Sequence, residues 1–401
     1  MKISTMHFID EIFGPPICFL FDIYNLFKRP FAELKVEQDK VKNIVLIKFF
    51  GMGSILLAGP MMSALKTRFP HTKITFLTFS SNTQLCKRIE LIDKVVAIDT
   101  DTFLIFVISM LKAIRTIRSI RAEISIDLEF FSKFSTIIQY LCRTRIRVGY
   151  FLIQYGIFLK LMWRGNLLTH SVYYNPHKHT IKAFLALAES LGAHTDDLSY
   201  AQVKILDEDR KEIDRLQENN DLNVSYFLIA VNINASQICL ERRWPKKNFA
   251  YLINKLRENK NIKIILLGNQ GDKEYVESFL DNLDDTSNII NLVDRLGIGG
   301  LAFLLSNIDL LITNDSGPMH LAASVGTKVT ALFGPETPIR YEPLGSGHFI
   351  HYPDIYCSPC LNVYNQKIAP CKGDNRCMRM IQPEDVYRSI QEKYLYVEIS
   401  V

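Results

Sequence analysis

The polar turn Thr313-Asn314-Asp315-Ser316-Gly317, followed by Pro318-Met319-His320, gathers hydroxyls, a carboxylate and an imidazole within eight positions. The glycine among them lets backbone come close to a ligand. An apolar run, Ile308 to Ile312, precedes the turn and predicts a buried strand. A helical pattern follows through Leu321, Ala322 and Ala323 to Gly326. Pro318 suits the first turn of that helix, where a missing N–H is no loss. Such a helix aims free N–H groups and its positive end at whatever rests on the turn, so the expected ligand is a phosphate or diphosphate. The bland alternative is an ordinary strand–turn–helix, capped by Asp315 or Ser316. A second strand, Lys328 to Phe333, ends in another polar turn at Gly334-Pro335-Glu336-Thr337-Pro338.

The same alternation runs through the rest of the chain. Tyr226 to Asn232 predicts a strand that ends in Asn234-Ala235-Ser236, with Arg242-Arg243-Trp244-Pro245 and a helix from Lys247 to Leu256 beyond it. Ile262 to Leu267 predicts the next strand, ending in Gly268-Asn269-Gln270-Gly271-Asp272. Further upstream, Asn43 to Phe50 leads into Gly51-Met52-Gly53-Ser54 and a helix from Ile55 toward Phe69. Ile124 to Leu128 ends beside Asp127 and Glu129. In an open parallel sheet ligands sit at the carboxyl ends of strands, which is where these groups fall. Gly51 and Gly53 allow close approach of backbone to a ligand. The loop is neither a dinucleotide fingerprint, lacking the third glycine, nor a P-loop, lacking Gly-Lys-Ser/Thr. Alternating strands and helices throughout predict an α/β fold with parallel sheets.

The run Asn314 to Ala323, followed by Ala331-Leu332-Phe333-Gly334-Pro335, resembles the signature of glycosyltransferase family 9, which includes the heptosyltransferases of lipopolysaccharide core synthesis. The resemblance covers residues 42–392 and implies two Rossmann-like domains facing a central cleft, the GT-B architecture. It implies inverting transfer of a sugar, heptose from ADP-heptose in the first instance, onto a lipopolysaccharide core or related lipid-linked saccharide. Asn234, Ser236, Arg242, Gly268, Asp272, Asn314, Asp315, Ser316, Gly317 and His320 then hold the donor, and Gly51 and Gly53 form a loop toward the acceptor. Arg242 stands where the family usually has Lys, which keeps the charge and changes the geometry. Ser54 stands where the family usually has the Asp assigned as catalytic base. A neutral hydroxyl is a very poor proton acceptor, so Glu129 is the expected base, with Asp127 as runner-up. No cofactor is required if the helix N-terminus, His320 and Arg242 stabilise the leaving diphosphate. Two other readings stay open: a sugar-nucleotide-binding protein without transfer activity, and a nucleotide-sugar epimerase on a similar scaffold.

At 401 residues two domains are expected, and 48% apolar content is ample for two cores. The division read from the pattern is an extension over 1–40, an acceptor domain over 41–200, a donor domain over 223–382 with a cysteine-rich tail, and a terminal helix over 383–398. A net charge of +5, spread along the chain, argues against nucleic acid as partner and suits anionic substrates or an anionic membrane surface. Within the extension, Ile17 to Phe27 is an apolar segment closed by Lys28-Arg29. It is too short to span a bilayer. It suits the interface, and the alternative is a helix packed on its own domain. With no signal peptide evident, the expected location is cytoplasmic, peripheral on the inner membrane. Arginines 143, 145 and 147, with Lys160, Arg164, His170 and interleaved tyrosines, read as a basic surface. Cys357, Cys360, Cys371 and Cys377 leave two readings, a structural zinc or free thiols, since a reducing cytoplasm disfavours disulfides.

Overall fold

The computed structural model describes residues 3–26, 40–151, 163–220, 226–236, 238–283, 285–363 and 368–395. Short apolar runs rich in Ile, Val and Phe become the strands of a first unit, Met1–Ala201. In order it contains α1 (Ile3–Leu26), β1 (Asn43–Ile47), α2 (Met52–Leu57), α3 (Gly59–Arg68), β2 (Lys73–Phe79), α4 (Thr83–Arg88), β3 (Lys94–Ile98), α5 (Phe103–Ile120), β4 (Ile124–Asp127), α6 (Lys133–Leu141), β5 (Ile146–Phe151), β6 (His170–Tyr173) and α7 (Thr180–Glu189). The strands pair in parallel in the order β3-β2-β1-β4-β5-β6. Near-continuous burial of β1, β2 and β4 is what a parallel sheet covered on both faces requires. Phe49, Phe79 and Phe134 fill the space between sheet and helices, with ring centroids 4.7 to 6.5 Å apart.

The second unit, Gln202–Val401, repeats the plan. It runs α8 (Asp207–Asn220), β7 (Phe227–Asn232), α9 (Lys246–Arg257), β8 (Ile262–Leu266), α10 (Lys273–Leu280), β9 (Ile289–Asn291), α11 (Ile298–Ser306), β10 (Leu310–Asn314), α12 (Gly317–Ser324), β11 (Lys328–Leu332), α13 (Pro338–Tyr341), β12 (Phe349–His351), α14 (Arg376–Met380) and α15 (Pro383–Ile390). Its parallel order, β12-β11-β10-β7-β8-β9, is the same winding. Trp244 is fully buried in its core. The indole packs edge-on to Phe249 at 4.9 Å and donates to the Ile381 carbonyl at 3.0 Å. In both units the winding reverses beside the first strand, between β1 and β4 and between β7 and β10. Loops diverge there and leave room for a ligand.

Three expectations change against these elements. The helix expected from Ile55 starts at Met52 and breaks at Ala58, because Gly59-Pro60 opens a second helix against Ala201. The stretch read as a basic surface divides: Arg143, Arg145, His177 and Lys178 are exposed, whereas Tyr150 and Tyr174 are buried and Arg164 is only 5% exposed. Lys160 and Tyr155 of that reading lie outside the described residues. Ile3–Leu26 is one helix, longer than the apolar segment suggested, and it packs along α6. Lys28 and Arg29 lie outside the described residues.

Candidate functional site

In the second unit the two loops at the winding reversal are tied together by asparagines. Asn232, the last residue of β7, donates to Thr313 Oγ1 at 3.1 Å and to Ser316 Oγ at 3.0 Å. Asn314, the last residue of β10, donates to the carbonyls of Ile233 and Asn234 and accepts from Trp244 N. Two short polar side chains thus fix the turn after one strand against the turn after its neighbour. Ser316 is the N-cap residue of α12, yet its hydroxyl makes no cap bond and is held by Asn232 and Thr313 instead. The opening turn of α12 therefore keeps its positive end uncapped by side chain, the condition for an anion site. Arg242 reaches the same place, its NH1 lying 3.1 Å from Asp315 Oδ2. Burial opposes the Arg242 charge, and Asp315, with smaller help from Cys239 and Glu336, outweighs it and holds its pKa above the ordinary value. His320 is buried in the first turn of the helix.

The neighbouring strand end completes the group. Asn234 donates to Leu267 O and Asn232 Oδ1, which fixes its amide orientation and leaves Oδ1 buried without a hydrogen-bond partner. A buried orphan acceptor is costly, and a ligand hydroxyl or amine would satisfy it. Gly268 is required here by packing: a Cβ would stand 2.8 Å from Asn234 Nδ2 and 3.1 Å from Asp272 Cβ. Asp272 accepts from Asn269 N at 3.1 Å. Burial raises its pKa, and the Asn269 N–H and Arg243 pull the other way. Arg243 itself stacks over the Tyr275 ring at 3.8 Å. Asn234, Gly268, Asp272, Arg242 and Asn314 to Gly317 are thus one continuous set. Ser236 is exposed and turned to Ile238 N. Sequence reasoning missed Asn232, an amide closing an otherwise apolar strand, which was the available signal.

In the first unit, Gly51 has φ of 87°, a left-handed conformation that favours glycine, and it starts α2. Ser54 is partly buried in that helix, and Gly53 is buried beside it. Glu129 follows β4 and binds the loop after β1. Its Oε1 accepts from Phe49 N at 2.6 Å and Phe50 N at 3.0 Å, and its Oε2 from Lys48 Nζ at 2.8 Å. A carboxylate has about four acceptor directions, so one on Oε2 is left over. Lys48 was unread; a lysine inside the apolar run Asn43 to Phe50 was its signal.

Asp127, the second candidate base, closes β4. It is fully buried, accepts from Ser135 Oγ, Thr136 Oγ1 and Glu129 N, and pairs with Arg164 NH1 at 3.3 Å. Arg164 also donates to the Tyr150 carbonyl. Burial pushes the Asp127 pKa up to about 6, and Arg164 and Ser135 keep it from rising further. Its oxygens are engaged by Ser135, Thr136, Arg164 and the Glu129 N–H and are closed to solvent. Asp127→Ala strands the guanidinium and is expected to destabilise the first unit by about 3–5 kcal/mol, read from chemical unfolding.

The four tail cysteines are gathered in one region. Burial pushes Cys360 and Cys377 up to about 11, and the neighbouring thiols add to the effect. All are free thiols. Among the described residues no three His, Cys, Asp or Glu side chains are arranged to hold a metal ion. The thiols as placed do not fit a structural zinc.

Two doubly wound parallel units in one chain, each with a polar cluster where its winding reverses, are the GT-B class of α/β protein. Residues 110–368 match the family model described as glycosyltransferase family 9 (heptosyltransferase), and the chain belongs to that family. Over 147 residues it is 31% identical to lipooligosaccharide heptosyltransferase 2 of Campylobacter jejuni, a match covering 36% of this chain and 44% of that protein. The chain thus spans about half the length of the first curated relatives it matches. A family 9 glycosyl transferase structure from Veillonella parvula superposes with a TM-score of 0.71 at 23% identity, covering 90% of this chain and 99% of that one. E. coli ADP-heptose lps heptosyltransferase II superposes with a TM-score of 0.69 at 17% identity, covering 89% and 99%.

Proposed function

We propose that the chain is an inverting glycosyltransferase that moves heptose from ADP-heptose onto a lipopolysaccharide core or related glycolipid. The observation that carries this reading is the second unit's continuous set, an uncapped helix N-terminus with Arg242 beside it and the orphan Asn234 Oδ1 next to Asp272. The diphosphate rests on the first turn of α12 and on Arg242. Asn234 and Asp272 take the hydroxyls or amine of the nucleoside. Family membership and the name of the E. coli structure support ADP-heptose as donor.

The acceptor hydroxyl attacks the anomeric carbon from the face opposite the diphosphate. A new C–O bond forms as the bond to the diphosphate oxygen breaks. The acceptor proton passes to Glu129 Oε2, and the leaving group takes its charge onto the helix N-terminus and Arg242. Ser54 and the Gly51–Gly53 turn position the attacking hydroxyl. The reaction takes place on the cytoplasmic side of the inner membrane, where a lipid-linked acceptor is presented. No nucleic acid takes part.

Purified protein incubated with ADP-heptose and a delipidated core saccharide is expected to release ADP only when the saccharide is present, with the saccharide gaining one heptose by mass spectrometry. Tight ADP-heptose binding without release would make it a binding protein. Isomerised ADP-heptose without acceptor would make it an epimerase.

A further inference from the structure

The N-terminal helix is amphipathic in the reverse sense. Its acids and Asn25 face the protein. Asp10 caps α6 by accepting from Lys133 N and Phe134 N, and Asp22 accepts from Asn166 N at 2.7 Å. Asn25 takes the Tyr140 hydroxyl at 2.8 Å. Asp10 and Glu11 are both half-buried, and burial lowers the Lys133 pKa while Asp10 and then Glu11 counteract this. Gly14 lets the two helices touch, since a Cβ there would fall 2.5 Å from Lys133 Cβ. The exposed positions are Thr5, Phe8, Ile12, Phe13, Pro16, Ile17, Phe19, Leu20, Ile23 and Tyr24, and none carries a charge. At 3.6 residues per turn they cover about half the circumference of a helix about 36 Å long. Phe8 and Leu20 are 61% and 64% exposed.

A second helix continues this face. Met6 of α1 and Phe106 and Met110 of α5 pack on one core cluster, and Phe106 meets Phe134 of α6 at 5.5 Å. Beyond that junction α5 exposes Phe103, Leu104, Ile105, Ile108 and Leu111, with Leu104 at 68%. Its exposed side then turns basic, with Lys112, Arg115, Arg118 and Arg121 and no acid from Phe103 to Arg121. Asp101 is the exposed acid just before it.

We propose that the outer face of α1 and the exposed side of α5 form a docking surface for an anionic lipid bilayer. The proposal rests on the reading above for its lipid-linked acceptor and deepens it by naming the surface. Charge sorting selects the occupant. Every acid of α1 is withdrawn inward, where it cannot repel lipid phosphates, and the apolar side of α5 is flanked by cations that can reach them. Phenylalanines and a tyrosine on a helix lying flat match the composition of membrane interfaces. Among the described residues no helix is long and apolar enough to cross a membrane, so the surface would rest on the bilayer.

Flotation of the full chain with vesicles tests this. Strong binding is expected to phosphatidylcholine mixed with phosphatidylglycerol, weaker binding to phosphatidylcholine alone, and release by salt. Phe13→Asp with Leu20→Asp should cut binding at least about tenfold, through loss of inserted apolar surface. Lys112→Gln with Arg115→Gln should cut binding to the anionic vesicles roughly 30-fold. These residues are exposed, so unchanged thermal melts show that the variants fold. Absent flotation in the unmodified chain, or flotation untouched by both pairs, overturns the proposal. So does a dimer that the Asp variants dissociate in a protein that ignores vesicles, which would assign the face to a second copy. Acceptor-dependent ADP release with delipidated saccharide reports the activity separately: vesicle binding without that release overturns the function and leaves the surface standing.

Discussion

Glu129→Gln is expected to lower turnover by roughly 10²–10⁴-fold, the range for loss of a general base, with ADP affinity unchanged. Gln is the informative replacement because of what the carboxylate already holds. Its amide oxygen can still accept from Phe49 N and Phe50 N, so the loop after β1 keeps its tether. The carboxylate oxygen on the Lys48 side, the proposed proton acceptor, is what disappears. That side chain is also half of a buried ion pair, 4% and 9% exposed, and Gln leaves the Lys48 ammonium without its partner. Lys48→Met with Glu129→Gln removes both charges and restores a neutral pair at little cost in stability. If turnover stays low in the double variant while its melting temperature recovers, the missing group is the proton acceptor. If turnover recovers with stability, Glu129 acts by holding the loop. Ser54→Ala, which removes only a hydroxyl from α2, should cost about tenfold or less. Full turnover in Glu129→Gln with loss in Ser54→Ala would reverse the assignment.

The second unit's site was more legible in the sequence than the first unit's, for a physical reason. Ile308 to Gly326 is a local unit, in which strand, turn and helix follow one another and each announces its end by residue type. The polar atoms proposed to hold the donor lie within a few residues of those signals. Glu129 and Lys48 meet across 81 positions, and Arg164 finds Asp127 across 37. Nothing near Arg164 marks it as buried, so it read as one surface with Arg143 and Arg145, which are exposed. The N-terminal helix misleads in the opposite way. Ordinary patterning puts apolar residues inward, and here Asp10, Asp22 and Asn25 take the inner face because they cap and bond neighbouring elements. That reversal depends on where α6 and Asn166 lie, which the local pattern does not carry. The paired strand ends of Asn232 and Asn314 were half visible: both amides stand out in apolar runs, but their bridging of two loops comes from the winding order of the sheet.

Arg242→Ala is expected to weaken nucleoside diphosphate binding by about 1–3 kcal/mol, roughly 5- to 150-fold, the worth of a charge-assisted contact. The geometry makes two contributions to that loss. The guanidinium stands at the first turn of α12, where it adds to the positive end of the helix. It also neutralises Asp315, whose side chain is 7% exposed and 3.1 Å from NH1. Without Arg242 that carboxylate faces the incoming diphosphate with an unpaired negative charge. Arg242→Ala with Asp315→Asn separates the two. If repulsion dominates, the double variant regains most of the lost affinity; if the direct contact dominates, it binds as poorly as the single one. Arg242→Lys keeps the charge but loses the fork, so it should fall between the parent and Arg242→Ala. Calorimetry with ADP measures all of these on the same scale. Unchanged affinity in Arg242→Ala, with a lowered melting temperature, would mean that the arginine only holds the turn at Asp315, and the diphosphate would then have to rest on the helix N-terminus alone.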